Sequence, residues 1–185
     1  AGEREIRPFP YLRGRHPPIS VIPTCADLER FSPGAEAARA PFVLGYVGSV
    51  GTWYLLDEML RFFHALREQQ QEARLLIVNR NEQAMIRERM AALGIQSGQV
   101  ELVTAEHREM PDLIRRMSAG MALIKPVYSK IPSAPTKLAE YLGCGVPCLG
   151  NSGVGDMEQI LQGRGVGVAL CGFFDGEMRE AGKRL

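Results

Sequence analysis

The residues best suited to binding chemistry stand in one short segment, S-A-P-T-K-L-A-E-Y-L, at positions 133–142. Pro135 suits the first position of a helix, where a missing N–H costs nothing, and Ser133 or Thr136 can accept hydrogen bonds from the amides of the first turn. We therefore predict a helix that begins near residue 135. Its unpaired N–H groups and the positive end of its dipole favour a phosphate there, and Lys137 adds a full positive charge.

Glu140 is the acidic residue of the same segment. Helical side chains lean toward the N-terminus, so the Glu140 carboxylate is expected to point back at the loop that precedes the helix. A carboxylate in that position can accept hydrogen bonds from the two hydroxyls of a ribose. The segment therefore indicates a site for a phosphorylated, ribose-bearing ligand. The alternative is that Lys137 and Glu140 form an ordinary surface pair three residues apart on the helix.

Composition places the chain among ordinary soluble globular proteins. It has 185 residues, of which 45% are hydrophobic and 23% charged, with a formal net charge of +1. Such a balance gives no support to binding of nucleic acid or of a membrane surface through bulk charge. The sequence shows no apolar run long enough to span a bilayer and no signal-like start. We expect a cytoplasmic protein, or one peripheral to the inner face of the membrane in its full-length form.

Short apolar runs alternate with helical patterns along most of the chain. This alternation predicts an α/β fold, with a Rossmann-like parallel sheet and helices on both faces, and sheets of this kind bind ligands beyond the carboxyl ends of their strands. The predicted strands are 19–23, 42–48, 74–79, 99–104, 120–125, 146–150 and 165–170, and the predicted helices are 54–71, 81–93, 109–118, 135–144, 155–162 and 175–184.

Glycines, cations and one histidine follow several of these strands. Two glycines after the first strong strand would let the backbone approach a ligand closely, although the segment matches neither dinucleotide nor P-loop fingerprints. Each cation taken singly is an ordinary loop charge, and His107 taken singly is an exposed histidine. No D-x-D occurs and the cysteine and histidine spacings do not fit zinc, so we predict no metal site. The residues are Gly48, Ser49, Gly51, Arg80, His107, Lys125 and Lys130.

The order of these elements resembles one known family. Residues 19–31, I-S-V-I-P-T-C-A-D-L-E-R-F, are similar to the V-I-P-N-G-V-D-x-x-x-F segment that opens the C-terminal domain of group 1 glycosyltransferases. The glycine turn at 48–51, the strands that follow and the P-T-K-L-x-E-Y-L signature then come in the family's order, so the resemblance covers roughly residues 19–170. It implies the C-terminal half of a GT-B fold, which holds the nucleotide-sugar donor of a retaining, metal-independent sugar transfer.

The resemblance also implies roles for individual residues. Glu140 matches the second of two glutamates that are separated by seven intervening residues, and it would bind the ribose hydroxyls. The loop of Ser133, Ala134, Pro135 and Thr136 would offer amides to the diphosphate or sugar, and the turn at Gly48, Ser49 and Gly51 would cover the phosphates. Our own candidates for countercharge are Arg80, Lys125 and Lys137, and His107 is a candidate for contact with the base or sugar.

Two positions depart from the family pattern. The first glutamate of the pair would stand eight positions before Glu140, where this chain has Pro132. The phosphate-binding arginine and lysine expected after the first strand are replaced by T-W-Y-L-L-D at 52–57. Contacts that the first acid makes with the donor sugar are not carried over, and we assign no catalytic residue to this chain.

The family has an acceptor-side domain of comparable size before this one. Residues 1–18, with four prolines, look like a linker or the tail of such an N-terminal domain, and residues 19–185 like the donor-binding domain. We expect the chain alone to bind a donor without turnover and without a cofactor, while the full-length enzyme transfers sugar to a carbohydrate or lipid-linked acceptor. The alternatives are a non-catalytic, degenerate glycosyltransferase-like module and, less in keeping with the P-T-K-L-x-E-Y signature, half of a sugar-nucleotide epimerase.

Overall fold

A computed structural model describes residues 18, 20, 24–34 and 40–185 of the chain. The predicted strand at 19–23, apart from Ser20, and the predicted linker at 1–18, apart from Pro18, lie outside these residues. The described part contains one sheet of six strands, all of whose pairings are parallel. The strands are β1 (Val43–Val47), β2 (Arg74–Val78), β3 (Val100–Val103), β4 (Ala119–Ala122), β5 (Cys148–Asn151) and β6 (Gly167–Leu170).

Helices connect successive strands and cover both faces of the sheet. They are α1 (Leu56–Gln69), α2 (Gln83–Ala92), α3 (Met110–Arg115), α4 (Thr136–Gly143), α5 (Met157–Gly163) and α6 (Asp175–Arg184). Short 3₁₀ turns occur at Ser97–Gln99, His107–Glu109 and Tyr128–Lys130. Helix α1 shows why these segments are helical: its buried residues, such as Met59, Phe63 and Leu66, recur three or four positions apart and form one apolar face.

Two apolar layers hold the fold together, one on each side of the sheet. One layer joins the sheet to α1, α2 and α6 through residues such as Phe62, Ile86 and Met178. The other joins it to α3, α4 and α5 through residues such as Ile114, Tyr141 and Leu161. Because both faces are covered, β4 and β5 are buried along their whole lengths. The predicted α/β class with a Rossmann-like sheet is confirmed.

The strand order is β3-β2-β1-β4-β5-β6, which is the order of doubly wound nucleotide-binding sheets. From β1 the chain goes first to β2 and β3 on one side, and then returns to β4, β5 and β6 on the other. The direction of winding therefore reverses between β1 and β4. Sheets of this type bind ligands in a crevice beyond the carboxyl ends of the strands at which the order reverses, here β1 and β4.

Two differences from the predicted boundaries lie beside this crevice, and a third is helix α3, which ends at Arg115 rather than residue 118. Helix α1 begins at Leu56 rather than residue 54, and β4 ends at Ala122 rather than residue 125. The reason is that residues 53–55 run antiparallel to residues 123–125: the Leu55 amide donates to the Leu123 carbonyl at 3.1 Å, and the Lys125 amide donates to the Trp53 carbonyl at 2.9 Å. Among the described residues, no helix is both long and apolar enough to cross a bilayer.

Candidate functional site

A cleft of about 260 Å³ opens at the carboxyl ends of β1 and β2. It brings together five of the residues that the sequence analysis selected, from four separate parts of the chain: Gly48 and Ser49 after β1, Arg80 after β2, His107 after β3, and Glu140 on α4. Other residues of the wall include Val47, Asn79, Glu82 and Met110. The fold therefore converts a pattern scattered over the sequence into one concave surface.

The turn after β1 depends on Gly48. Its φ of 124° lies in a region that residues with a Cβ rarely adopt. The Gly48 amide donates to the Val78 carbonyl at 3.0 Å, and its carbonyl accepts a hydrogen bond from the Asn79 side chain at 3.0 Å. The Ser49 carbonyl accepts another from the Tyr46 hydroxyl at 2.5 Å. These contacts fix the turn, while the Ser49 side chain remains exposed at the cleft.

Asn79 is a structural residue of the site that the sequence analysis did not select. It is 2% exposed and directly follows β2. Besides bonding Gly48, its Nδ2 donates to the Glu82 carboxylate at 2.6 Å, and its Oδ1 accepts from the Glu82 amide at 2.8 Å. The side chain thus ties the end of β1 to the loop before α2. The sequence signal that could have identified Asn79 is an amide residue immediately after a buried apolar strand.

Asn151, at the end of β5, has a matching role on the other side of the crevice and was also missed. It is 1% exposed, and its side-chain oxygen accepts from the Ile124 amide at 2.8 Å. Its Nδ2 donates to the Ile124 carbonyl at 2.9 Å. The segment that leaves β4 is therefore held by a side chain on one side and by residues 53–55 on the other.

Tyr141 joins β1 to β4 where the two strands separate. Direct pairing of these strands is confined to Leu44 with Ala119 and Gly45 with Gly120. Beyond that point the buried Tyr141 hydroxyl accepts a hydrogen bond from the Val47 amide at 3.0 Å and donates one to the Met121 carbonyl at 3.3 Å. Helix α4 is therefore anchored at the crevice by a residue of its own middle turn.

Glu140 stands next to this anchor and lines the same cleft as the Gly48 turn. It is half-buried, and burial raises the pKa of its carboxyl group above the ordinary value, while His107 and Lys137 act in the opposite direction. The sequence predicted that this carboxylate would point back at the loop before α4, but Glu140 shares its cleft with the segments that follow β1, β2 and β3, and residues of that loop line another pocket. A half-buried carboxylate that faces a cleft can accept hydrogen bonds from hydroxyl groups of a ligand.

Lys137 occupies a different place from the exposed helix start that the sequence suggested. It is 8% exposed, and its Nζ donates to the Tyr46 hydroxyl at 3.0 Å. The same Nζ lies 4.2 Å from the ring centre of Tyr46 and 3.8 Å from that of Tyr54. Burial lowers the pKa of Lys137 to about 7. The alternative of a solvated Lys137–Glu140 surface pair is therefore wrong.

The start of α4 also differs in detail from the prediction. Pro135 is the N-cap residue, with ψ of 123°, and Thr136 is the first helical residue. Neither Ser133 nor Thr136 caps the helix, because no side chain forms a capping hydrogen bond there. The amides of the first turn consequently have no side-chain cap, which leaves the helix end suited to an anion.

The loop before α4 does not line the same cleft as Glu140. Ala134 and Pro135 line a separate pocket of about 150 Å³ together with Thr24, whose hydroxyl donates to the Ala134 carbonyl at 2.9 Å. The Ser133 carbonyl lies so close to Gly155 that a Cβ there would approach it to 2.0 Å. The loop is thus packed against its neighbours, and Pro132 before it is exposed.

The remaining candidate cations lie on the side of the crevice formed by residues 123–131. Lys125 is exposed, and the Lys130 Nζ lies 4.5 Å from the ring centre of Trp53. Neither these two residues nor Gly51 or Thr136 belong to the wall of the larger cleft. Within the part of the chain that the structure describes, no three His, Cys, Asp or Glu side chains come together as a possible metal site.

Comparison with known proteins identifies the family. The sequence model of glycosyl transferases group 1 matches residues 29–170. Among solved structures, AviGT4, a glycosyltransferase involved in avilamycin A biosynthesis, is similar at 23% identity and a TM-score of 0.61, over 88% of this chain and 47% of that one. This chain therefore spans about half of AviGT4. No curated protein matches it.

Two further structures show the same fold. The pneumococcal O-GlcNAc transferase GtfA, solved with UDP and GlcNAc, has 15% identity and a TM-score of 0.67, over 98% of this chain and 36% of that one. The C-terminal domain of the group 1 protein LpcC from Francisella tularensis has 10% identity and a TM-score of 0.51, over 70% of this chain and 72% of that one. The chain belongs to the group 1 glycosyl transferase family, and its fold is that of the C-terminal domain of GT-B glycosyltransferases.

Proposed function

We propose that this chain is the donor-binding domain of a retaining glycosyltransferase, which transfers a sugar from a nucleoside-diphosphate sugar to an acceptor without a metal ion. The observation that carries the proposal is the placement of Glu140 and the Gly48 turn in one cleft. A carboxylate and a glycine turn that share a cleft beside a switch in strand order suit a ribose and its phosphates.

Glu140 would bind the ribose. Its two oxygens can accept hydrogen bonds from the neighbouring 2′ and 3′ hydroxyls, and the sequence neighbour Tyr141 holds the helix in place. Hydrogen bonds to a charged group contribute about 1.5–3 kcal/mol each, more than bonds between neutral groups. Burial of Glu140 strengthens this effect, because a half-buried carboxylate has fewer water molecules to give up and a lower surrounding dielectric.

The diphosphate would lie between the Gly48 turn and the start of α4. Ser49 offers an exposed hydroxyl at the turn, and Arg80 offers a guanidinium on the same wall. The uncapped first turn of α4 adds backbone amides and the positive end of the helix dipole. Ser133 to Thr136 would contribute through this helix end rather than through the wall around Glu140. Together these groups could stabilise the departing nucleoside diphosphate by preorganised charge, which is the largest contribution in many transfer reactions.

The base would extend toward the end of β3, where the cleft is lined by Ala105 and His107. His107 is exposed to the cleft, and its ring lies 5.7 Å from that of Phe31. The pneumococcal relative was solved with UDP, which makes UDP the first nucleotide to test and GDP the second.

Sugar transfer by the whole protein would require an acceptor-binding domain. This chain spans 47% of AviGT4, so we propose that a carbohydrate or lipid-linked acceptor is held by a second domain. Bringing donor and acceptor together is itself a large part of the rate enhancement in such reactions. The chain alone would then bind donor without measurable turnover.

One observation favours a second candidate function, a non-catalytic module with a degenerate donor site. Pro132 stands where the first acid of the family pair is expected, and it is exposed rather than part of the cleft wall. Residues 52–55, where phosphate-binding cations are expected, instead include an exposed tryptophan and a strand-like pairing with residues 123–125. In that case the cleft would no longer bind a nucleotide, and the domain would serve protein or polysaccharide contacts.

Calorimetric titration separates the two candidates. The chain is titrated with UDP and with GDP at pH 7, each in the presence of EDTA and then of MgCl₂. Saturable heat with either nucleotide, unchanged by EDTA, supports the metal-independent donor domain. Binding that requires MgCl₂ contradicts the metal-independent part of the proposal. The absence of heat with both nucleotides up to millimolar concentration supports the degenerate module.

A further inference from the structure

Lys137 is the most unusual charged residue of the described chain. Its side chain leaves α4 and ends between the rings of Tyr46 and Tyr54, where its Nζ makes one hydrogen bond, to the Tyr46 hydroxyl. Burial raises the pKa of the Tyr46 phenol well above its ordinary value, so that phenol is neutral at physiological pH. In this cage, formed by Tyr46 and Tyr54, the ammonium contacts two aromatic faces and a neutral oxygen. No described residue places a full negative charge in contact with it.

The charged groups around Lys137 do not provide a counterion. Within the described residues, no carboxylate lies within 4.0 Å of its Nζ. The titratable groups that face it are Tyr46 on β1, Tyr54 before α1, Cys148 on β5 and Glu140 on its own helix. Burial raises the pKa of the Cys148 thiol to about 12, so Cys148 is neutral as well. Among the described groups that face Lys137, the one that can carry a negative charge is the more distant Glu140 carboxylate.

The ammonium lies directly below the turn that the donor diphosphate would cover. A Cβ on Gly48 would lie 3.1 Å from the Lys137 Nζ, so the absence of a side chain at Gly48 is what permits this approach. The Tyr46 hydroxyl links the two, because it accepts from Lys137 and donates to the Ser49 carbonyl. The β1–α1 loop, where the family's cations are expected, places Tyr54 against Lys137 instead.

We propose that Lys137, which lies below the Gly48 turn, supplies the phosphate countercharge that the β1–α1 loop lacks, and that Lys137 takes up a proton when the diphosphate of a nucleotide binds. This inference rests on the proposed donor site and adds a proton linkage to it. A buried amine without a counterion is partly neutral near pH 7, whereas a diphosphate within a few ångströms favours the charged form. The proton therefore binds together with the anion, and each increases the affinity for the other.

The direction of the pH effect follows from this linkage. In the free protein the pKa of Lys137 is about 7, and the bound diphosphate raises it. Nucleotide affinity is then highest below pH 7, where Lys137 is already charged, and it falls as the pH rises toward the pKa of the complex. If that pKa rises by about 2 pH units, linkage predicts roughly twentyfold weaker binding at pH 8.5 than at pH 6.5.

Calorimetry with UDP and GDP at pH 6.5, 7.5 and 8.5 tests the proposal. Wild type, Lys137→Met and the distant surface control Lys183→Met are compared, in pairs of buffers with different ionisation enthalpies, so that proton uptake is counted directly. Titration of the terminal phosphate of UDP or GDP contributes equally to all three proteins and is removed by taking the difference. Wild type and Lys183→Met are expected to take up more protons at pH 7.5 than Lys137→Met. The nucleotide affinity of Lys137→Met is also expected to fall much less as the pH rises.

Outcomes for the linkage and for the donor site are distinguishable. If UDP or GDP binds wild type but Lys137→Met shows the same affinity, pH profile and proton uptake, the linkage is wrong and the donor site stands. If neither nucleotide binds folded wild type, the donor site itself is wrong. Lys137→Arg, which keeps a permanent charge, is expected to bind with no uptake at this position, and its circular dichroism and melting curve check that the cage accepts the larger group.

Discussion

The Tyr141 hydroxyl accepts a hydrogen bond from the Val47 amide at 3.0 Å, where direct pairing between β1 and β4 has already ended. The same hydroxyl donates to the Met121 carbonyl on β4 at 3.3 Å. A side chain of α4 thus takes the place of strand pairing at the crevice. Because Glu140 and Tyr141 are consecutive, the contact that holds the strands also sets the position of the carboxylate in the cleft.

Tyr141→Phe is expected to destabilise the protein. The substitution removes the hydroxyl and leaves the buried Val47 amide without its partner, which costs about 1–3 kcal/mol of unfolding free energy. Urea denaturation of the variant measures the loss. Tyr128→Phe, at a residue that is 73% exposed, is the matched control and should unfold as wild type does. Equal stability of Tyr141→Phe and wild type would show that the bridge between β1 and β4 is energetically unimportant.

Gly48→Ala is expected to damage both stability and nucleotide binding. Alanine is strained at a φ of 124°, and its Cβ would lie 3.1 Å from the Lys137 Nζ, so we expect a cost of about 1–3 kcal/mol and weaker binding of UDP or GDP. Gly51→Ala provides the stability control, since a Cβ there meets no atom within 4 Å. Thermal melting and calorimetry measure the two effects. A Gly48→Ala protein as stable as Gly51→Ala would contradict this view of the turn.

Asn79→Ala tests the side chain that ties the Gly48 turn to the loop before α2. Loss of the amide leaves the part-buried Gly48 carbonyl and the Glu82 amide without these bonds, and a decrease of about 1–3 kcal/mol in unfolding free energy is expected. Asn81→Ala, at an exposed neighbour, should change stability by less than about 0.5 kcal/mol. If denaturation curves for the two variants coincide, Asn79 has no special structural role.

Lys137 makes stability depend on pH. Its pKa is about 7 in the folded protein and lies near 10.4 in an unfolded chain, so between these values the unfolded state binds more protons. The free energy of unfolding therefore rises as the pH increases from 7 toward 10.4. Below pH 7, burial of Lys137 destabilises the folded protein by its full amount. From pH 7 to 9, the free energy of unfolding of wild type is expected to increase by about 2 kcal/mol relative to that of Lys137→Met.

Urea denaturation at pH 7, 8 and 9 measures that difference, and Lys183→Met serves as the surface control. Wild type and Lys183→Met should follow the same profile, while Lys137→Met should be the more stable protein at pH 7. Parallel profiles for wild type and Lys137→Met would mean that Lys137 is not buried in solution as it is here.

Most of the fold could be predicted from the sequence because alternating apolar runs and amphipathic segments are local signals. The pattern at 175–184 coincides with α6, and β2 and α2 are each displaced by at most two residues. Two of the boundaries that failed, at residues 54 and 125, are set by a contact between distant segments, whereas the predicted helix 109–118 ends early at Arg115. Strand order is likewise a matter of tertiary packing, and no local pattern in the sequence specifies it.

The site was predictable where helix geometry or strand ends decide a position. Glu140 reaches the cleft because side chains of a helix lean toward its N-terminus, and Gly48 is there because it follows a buried strand. The burial of Lys137 was not predictable, because it depends on Tyr46, 91 positions earlier in the chain. The roles of Asn79 and Asn151 also arise from bonds to segments 27–31 residues away.

Glu140→Gln tests the central claim most directly. The substitution keeps size and removes charge, so the donor site predicts that the best-bound nucleotide, UDP or GDP, loses about 1–3 kcal/mol of binding free energy, roughly 5- to 150-fold in Kd. The control is Glu72→Gln. Glu72 is exposed and precedes β2, at the amino ends of the strands, so this variant should bind as wild type does. A folded Glu140→Gln protein with the Kd of wild type would contradict the account.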